Sequence, residues 1–439
     1  MPWWIRCGGL SFPPGHEHES GSLGSKSIPR LQRDYSRDMK VSRREFLATS
    51  LAFVGAAAQT PSRFVHTHGK DILTPLGDKL FLRGTNLGNW LEPEGYMFLF
   101  DKGPVSPHEI EGFFEELVGP DEAQAFWRKY RNSYITKADV EFIQKCGFNS
   151  VRVPLHYKFF LTDAGFELVD PLIEWCRSAK LWVILDMHCA PGGQTGTNID
   201  DSSGYPWLYE SPHQQQLLID VWTRIAKHYR DEPTVLGYDL LNEPIPHFPK
   251  LRQYNSKLEP LYKRVTAAIR DVDRNHTIIL GGAQWDSNFN VFGAPFDNNL
   301  IYQLHKYWVS PVKTSIEPYL EFRDKYKVPL WCGESGENDD DWVKQFVQTL
   351  ESNDIGWCFW PYKKMEKPSC PVSFKKPANW DAVMALAAMP GGTGEAEKRI
   401  AARPSLEDSS KALQELLENI RFENCRVNQG YIRALGLKA

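Results

Sequence analysis

The sequence predicts an α/β protein folded as a (β/α)8 TIM barrel, and three observations predict it. From about residue 65 onward, short apolar runs alternate with longer amphipathic stretches. Eight such runs can be counted. The polar residues of greatest chemical interest fall at the C-terminal ends of those runs. Alternation of this kind indicates repeated βα units and a parallel sheet. A parallel sheet has to be covered on both faces or close on itself, and eight units are the number that closes.

The runs cover residues 79–86, 150–155, 182–188, 235–242, 277–282, 300–305, 329–334 and 356–361. Helical periodicity is visible at 136–146, 169–180, 214–229, 258–272, 316–326 and 342–352. Between the fifth and sixth runs only loop is visible. Residues 391–403 carry Gly391-Gly392-Thr393-Gly394 and charged neighbours, and they read as a linker or loop. Leu413, Leu416, Leu417 and Ile420 then form a helical stripe within 406–421. This helix is expected to pack on the barrel exterior; a partner-binding helix is the alternative. The expected layout is therefore a catalytic domain over 61–390, followed by a linker and helix over 391–439.

The chain begins differently. Residues 1–38 are rich in Gly, Ser, Pro and His without an apolar period, so they are expected to be disordered. Met39 opens a second pattern, with Arg43-Arg44 ahead of Phe46-Leu47, then the apolar stretch 48–58 ending on Ala56-Ala57-Ala58. Residues 39–60 thus resemble a twin-arginine export signal with a small-residue cleavage site. Ala48 stands where such signals often carry Lys, and Met39 is the expected start. The apolar stretch is shorter than the roughly 20 residues that cross a bilayer, so no stable membrane insertion is expected. The expected location is periplasmic or extracellular.

Composition narrows the function classes. Hydrophobic residues are 42% and charged residues 24%, enough for a soluble chain with a sizeable core. A net charge of -4 gives no reason to expect a nucleic-acid backbone as partner. The eight cysteines form no CxxC pair and no metal-type spacing. Cys146, Cys176, Cys189, Cys332 and Cys358 sit in apolar patterns and read as buried free thiols. Cys370 and Cys425 lie in irregular segments, where a disulfide is open. The histidines do not cluster as HExxH, and no GxSxG elbow, P-loop or dinucleotide fingerprint is present. Neither a metal nor a cofactor is expected. Oligomeric state is not legible.

The chemistry lies where two runs end. Run four finishes Leu240-Leu241-Asn242-Glu243-Pro244 and run seven Trp331-Cys332-Gly333-Glu334-Ser335. A carboxylate at the end of an apolar strand is costly unless paired or used. Two at the same barrel mouth are what glycosidic cleavage needs: one protonates the leaving oxygen, the other attacks the anomeric carbon. Either alone would read equally as a structural salt-bridge partner. Asn242 is placed to hydrogen-bond a sugar 2-hydroxyl. Arg152, in run two, is placed to hold a nucleophilic carboxylate ionised, and a rim salt bridge is its bland alternative. His305 and Tyr307 are two apart and share a side of an extended strand. For His305, and for His188 at the end of run three, a satisfied structural histidine is the alternative to sugar contact.

With these motifs in order, the chain resembles glycoside hydrolase family 5, over about residues 79–362. Residues 143–154, from Ile143 to Pro154, are similar to the family's second-strand signature. Leu241-Asn242-Glu243-Pro244 matches its acid/base motif, His305-Lys306-Tyr307 its sixth-strand His-x-Tyr, and Glu334 its nucleophile. Trp360 matches the aromatic platform after strand eight. The resemblance implies a retaining β-glycosidase with Glu243 as acid/base and Glu334 as nucleophile, acting on an oligo- or polysaccharide. Residues 83–92 and 188–196 resemble the loops of exo-acting β-1,3-glucanases, which makes a β-glucan the preferred substrate. They imply sugar binding by Glu92, with Glu94 as the alternative register. β-1,4-Glucan, β-mannan, glycolipid head groups and transglycosylation remain open. A non-catalytic carbohydrate-binding barrel would be expected to lack one glutamate. Residues 363–376, basic and containing Cys370, have no counterpart in the family pattern. If the mechanism is retaining, the two carboxyl groups should lie about 5–5.5 Å apart rather than about 6.5–9.5 Å; their separation in a structure checks this.

Overall fold

In a computed structural model, which describes residues 63–391 and 393–438, the eight apolar runs form one closed parallel barrel. Its strands are β1 (Arg83–Asn86), β2 (Ser150–His156), β3 (Trp182–Cys189), β4 (Val235–Asp239), β5 (Thr277–Gly281), β6 (Leu300–Tyr307), β7 (Leu330–Gly336) and β8 (Gly356–Phe359). Each pairs with its sequence neighbours, and β8 closes on β1. Residues 1–38 and 39–60, the expected disordered extension and export signal, lie outside the described residues.

Alternation along the strands builds the site. Side chains two apart share a face, so each inward column climbs the barrel axis. At the bottom, Ile184, Leu236, Ile279, Ile301, Trp331 and Cys358 form an apolar plug with Val65, Ile72 and Leu82. The hairpin His66–His68/Asp71–Leu73 supplies the strands beneath it. Two residues above Ile184 stands Asp186, and two above that His188. Above Ile301 stand Gln303 and then His305. The outward column of β2, Val151, Val153 and Leu155, joins the larger core beneath the helices. The inward column thus changes from apolar to ionisable toward the mouth, where catalytic side chains belong in this architecture.

The helices follow the periodicities. α1 (Pro107–Val118) and α2 (Pro120–Tyr134) precede α3 (Lys137–Cys146). Next come α4 (Ala164–Ala179), α5 (Pro212–Tyr229), α6 (Asn255–Val272), α7 (Glu317–Tyr326) and α8 (Asp340–Ser352). Ser106 with Glu109, and Thr136 with Asp139, form capping boxes that start α1 and α3. α1 and α2 add Phe113, Phe114, Phe126, Trp127 and Tyr130, which cluster with Phe98 of the preceding 3-10 turn. Between β5 and β6 there is only the single turn Ala283–Asp286 and a 3-10 turn, Phe289–Val291.

The C-terminal part corrects one expectation. Residues 391–403 are not all loop, because Ala396–Ala402 is helical. Glycine punctuates only the start of that stretch, and the rest is Ala, Glu, Lys, Arg and Ile, mostly good helix formers. Arg399 ties it down through Glu116 and the carbonyl of Met389, the latter at 2.7 Å. Helix α9 (Leu406–Asn419) packs on α1 and α2. Residues 363–376 supply β9 (Lys363–Met365) and β10 (Val372–Phe374), which form a small sheet with β11 (Arg426–Val427). All seven described cysteines are free; six are buried and Cys425 is half-buried. Among the described residues no helix is long and apolar enough to cross a membrane.

Lys363 stitches these parts together. Its buried ammonium lies 2.7 Å from Asp139 Oδ1 and donates to the carbonyls of Tyr134 and Ile420 at 2.7 and 2.8 Å. A buried ion keeps its place only with such partners, and removing one leaves the other uncompensated. Lys363→Met should therefore cost roughly 3 kcal/mol, read as a lowered Tm in thermal unfolding.

Candidate active site

Arg152 stands at the centre of the barrel with no solvent exposure. Its guanidinium donates Nε to Asp239 Oδ2 (2.9 Å), Nη1 to Asn86 Oδ1 (3.0 Å) and Glu334 Oε1 (2.5 Å), and Nη2 to Asn242 Oδ1 (2.9 Å). Asp186 Oδ1 lies 3.0 Å from Nη2. One planar cation thus gathers groups from β1, β3 and β7 and from the β4 strand and the loop after it. The fork geometry suits arginine and not lysine. Burial pushes the Asp186 carboxyl up to about 7 and the Asp239 carboxyl up to about 8, with Arg152 opposing both shifts. Arg152 does not line the cavity above it, and it reaches that cavity through Glu334, whose Oε1 it holds.

Glu334 is brought inward by an irregularity in β7, where the register against β6 shifts so that Leu304 pairs with Cys332 but His305 with Glu334. Arg152 holds Oε1, and the Tyr307 hydroxyl donates to Oε2 at 2.9 Å. The glycine before it is demanded by contact, since a Cβ at Gly333 would lie 2.0 Å from Gln303 Oε1. Glu243 faces Glu334 from just beyond β4. Its backbone is left-handed (φ 46°), a conformation that L-residues adopt rarely. Its N–H donates to Asp286 Oδ2 at 3.3 Å, and its Oε1 lies 3.0 Å from His305 Nδ1. An oxygen of Glu243, an oxygen of Glu334 and a ring nitrogen of His305 all lie within 4.8 Å of one another. Burial raises the Glu243 carboxyl to about 7, with His188 and Arg152 opposing.

Both histidines are driven toward neutrality by burial, His188 to about 4 and His305 to about 3. His188 Nδ1 lies 2.7 Å from Asp186 Oδ2, and Asn242 Nδ2 lies 3.2 Å from His188 Nε2. With Nδ1–H donating to Asp186, Nε2 is left to accept from Asn242. The imidazole also stacks on Trp360, 5.3 Å between centroids and 9° between planes. Gly88 leaves room for that indole, as a Cβ there would lie 2.3 Å from Trp360 Cη2. Gln194 donates to the carbonyls of His188 (2.7 Å) and Asn242 (3.0 Å), tying the β3 loop to the β4 loop.

These groups open into a cavity of about 860 Å³, lined by His188, Asn242, Glu243, His305, Tyr307, Glu334 and Trp360. Glu94 lines it and Glu92 does not, so the alternative register is the one that reaches the cavity. Glu92 is 1% exposed; one oxygen accepts the Asn89 N–H at 2.9 Å and the other has no partner. Burial, then their mutual proximity for Glu92 and the nearby Glu334 for Glu94, push both carboxyls well up. Glu92, Glu94 and His188 also form a carboxylate–imidazole trio within 4.8 Å, the second such group beside that of Glu243, His305 and Glu334.

Sequence reasoning missed Asp186, Asp239, Gln303, Gln194 and Asp286. The first three carried a signal: Asp186 is two before His188, Gln303 two before His305, and Asp239 lies inside an apolar run. Asp286 carried none. It lies 3.2 Å from His305 Nε2, but it is placed there by three successive left-handed residues, Gln284, Trp285 and Asp286 (φ 54°, 55° and 54°).

A closed (β/α)8 barrel with two facing glutamates at the C-terminal mouth, one anchored by arginine and one held near neutrality, is the architecture of a glycosidase. Residues 115–366, more than half of the chain, match the family model for cellulase (glycosyl hydrolase family 5). The chain belongs to that family and is a glycosyl hydrolase. It is similar to a beta-xylosidase of Phanerodontia chrysosporium, 27% identical over 345 residues that cover 68% of this chain and 71% of that protein. It is 30% identical over 285 residues to glucan 1,3-beta-glucosidase 2 of Wickerhamomyces anomalus, covering 60% of this chain and 65% of that one. Among solved structures, an endogalactoceramidase shares the fold with a TM-score of 0.53 at 19% identity, covering 80% of this chain and 84% of that one.

The contrast between Glu92 and Glu94 is testable. Glu94→Ala should raise KM about tenfold, the loss of one hydrogen bond to a substrate hydroxyl. Glu92→Gln keeps the acceptor for Asn89 and removes a buried carboxyl from beside Glu94. Carboxyls raised in the folded state stabilise below their unfolded pKa, about 4.3, and lose that contribution as pH rises. Glu92→Gln should therefore raise Tm at pH 7, and the gain should vanish near pH 4 in calorimetry.

Proposed function

We propose that the protein hydrolyses β-glycosidic bonds in a β-glucan with net retention, through a glycosyl-enzyme on Glu334. The observation that carries this reading is the approach of Glu243 and Glu334 oxygens to within 4.8 Å of each other. Inverting enzymes leave room for a water between their carboxyls, about 6.5–9.5 Å apart, and retaining ones do not. Arg152 and Tyr307 hold Glu334 as an aimed anion. Glu243, raised to about 7 by burial, is available as the proton donor.

In the first step Glu334 attacks the anomeric carbon, the glycosidic C–O bond breaks, and the Glu243 proton goes to the leaving oxygen. Glu334 is then an ester and its charge is gone. Glu243 takes a proton from water, the hydroxyl attacks the anomeric carbon from the vacated face, and Glu334 leaves as the carboxylate. His305 Nδ1, 3.0 Å from Glu243 Oε1, is the neighbouring group that orients this carboxyl.

The β-glucan reading is supported by residues 83–92 and 188–196 and by the similarity to a glucan 1,3-beta-glucosidase. A second reading, an apolar leaving group such as that of a glycolipid, is favoured by Phe248, 51% exposed beside the cavity. Hydrolysis of laminarin, cellulose, mannan, aryl and alkyl β-glucosides and an aryl β-xyloside, with product anomers followed by NMR, separates these. Export through the twin-arginine pattern of residues 39–60 belongs to the same proposal. Arg43→Lys with Arg44→Lys should strand the folded enzyme in the cytoplasm, and continued export would overturn it.

Two outcomes test the roles. The protonated form of Glu243 is the active one, so kcat/KM should fall tenfold per pH unit above about 7. With Glu243→Ala, aryl glycosides with good leaving groups should still form the intermediate, and azide should restore turnover as the β-glycosyl azide. With Glu334→Ala activity should collapse, and any azide rescue should give the α-azide. The reverse pattern exchanges the two roles.

A further inference from the structure

The segment 363–376, which fits no part of the family pattern, delivers a buried cation to the cavity wall. Lys364 is 3% exposed. Its ammonium contacts both oxygens of Glu337, at 2.7 and 2.6 Å. It also lies 5.4 Å from the centroid of the Tyr96 ring. The Tyr96 hydroxyl accepts the Trp360 indole N–H at 2.7 Å, and the Trp308 indole N–H donates to the Glu337 carbonyl at 3.2 Å. Trp308, Glu337, Lys364, Tyr96 and Trp360 are thus joined one to the next. They come from the ends of β6 and β7, the segment after β8, and the loop after β1, which are consecutive around the barrel. Trp308, Glu337, Tyr96 and Trp360 all line the cavity.

The wall stands on one side of the reacting centre. Glu334 and Trp360 belong to its arc, so the sugar attacked by Glu334 lies against it. The leaving group lies on the side of the Glu243 loop, which carries His247 and Phe248, with Trp285 beside them. There Phe248 is half exposed, and among the described residues no charged pair closes the cavity edge. A polysaccharide threaded through the cleft would have to cross the first side.

We infer that the Lys364–Glu337 pair braces a closed glycone end, so that the enzyme removes single sugars from the non-reducing terminus of its substrate. A polymer cannot extend past Trp360 while this brace stands. Two features set it apart from a surface ion pair. Burying an ammonium is costly unless it is paired with good geometry, and here both carboxylate oxygens serve one nitrogen. Glu337 also holds a left-handed backbone (φ 52°) to present them. Lys364 is fixed from below as well, since its neighbour Lys363 is locked to Asp139. The inference rests on the β-glucan reading above.

The test uses the full chain with laminaripentaose and cellopentaose labelled at the reducing end, and early products are resolved by mass spectrometry. Wild type should release glucose and labelled tetrasaccharide first. Lys364→Met keeps the aliphatic stem and removes the charge. It should raise the early ratio of labelled di- and trisaccharide to labelled tetrasaccharide about tenfold, while Lys364→Arg should keep the wild-type ratio. A ratio does not depend on how much of the variant is folded. Should Lys364→Met fail to fold, Glu337→Gln breaks the same pair. Early labelled di- or trisaccharide from wild type would overturn the inference and leave glucan hydrolysis standing, and an unchanged ratio in both variants would overturn it too. If wild type cuts neither pentasaccharide, the β-glucan reading fails and this inference with it.

Discussion

The site depends on one guanidinium. Among the described residues, Arg152 is the only arginine or lysine paired with Asp186, Asp239 and Glu334. Three carboxyls around one cation cannot all ionise cheaply in a dry barrel. Burial works against ionisation of the two aspartates and so favours leaving the arginine's charge to Glu334. The same cation fixes Asn86 and Asn242 by their carbonyl oxygens. Asn242 in turn orients His188, and Asn86 donates to the carbonyls of Gly333 and Cys358, so the ends of β1, β7 and β8 are held in register. Orientation of the anion and closure of the barrel mouth are therefore one network.

The barrel was legible because its signals are local. Each strand is an apolar run of fixed period, and each glutamate follows its run directly, so counting runs also located the chemistry. Arg152, His188, His305 and Tyr307 were legible for the same reason, through the two-residue period of an extended chain. Of the two carboxylates in the loop after β1, the structure brings Glu94 and not Glu92 to the cavity lining. Two carboxylates separated by Pro93 both fit a loop pattern, and only the turn at Asn89, whose N–H takes a Glu92 oxygen, decides which one reaches the cavity.

What was not legible is set by tertiary contact. Lys363 and Lys364 are adjacent and look like an ordinary basic stretch. One faces Asp139 beneath the barrel's outer layer, and the other faces Glu337 at the cavity wall. Alternation on a short strand sends the two charges opposite ways, and nothing in composition separates a solvated lysine from a buried one. α1 and α2 escaped for a different reason. Their apolar faces are largely aromatic and answer to Trp380 and to each other, not to a strand.

The turn at Gln284–Asp286 has a consequence for how this enzyme can change. Three successive residues with side chains occupy backbone angles that favour glycine. Glycine there would relax the chain and, at 286, delete the carboxylate beside His305 and the Glu243 amide. Stabilising drift at this turn thus runs against retention of the working site. A library selected for heat tolerance alone would be drawn toward folded but inactive proteins at these positions, whereas selection on turnover would hold the strain in place.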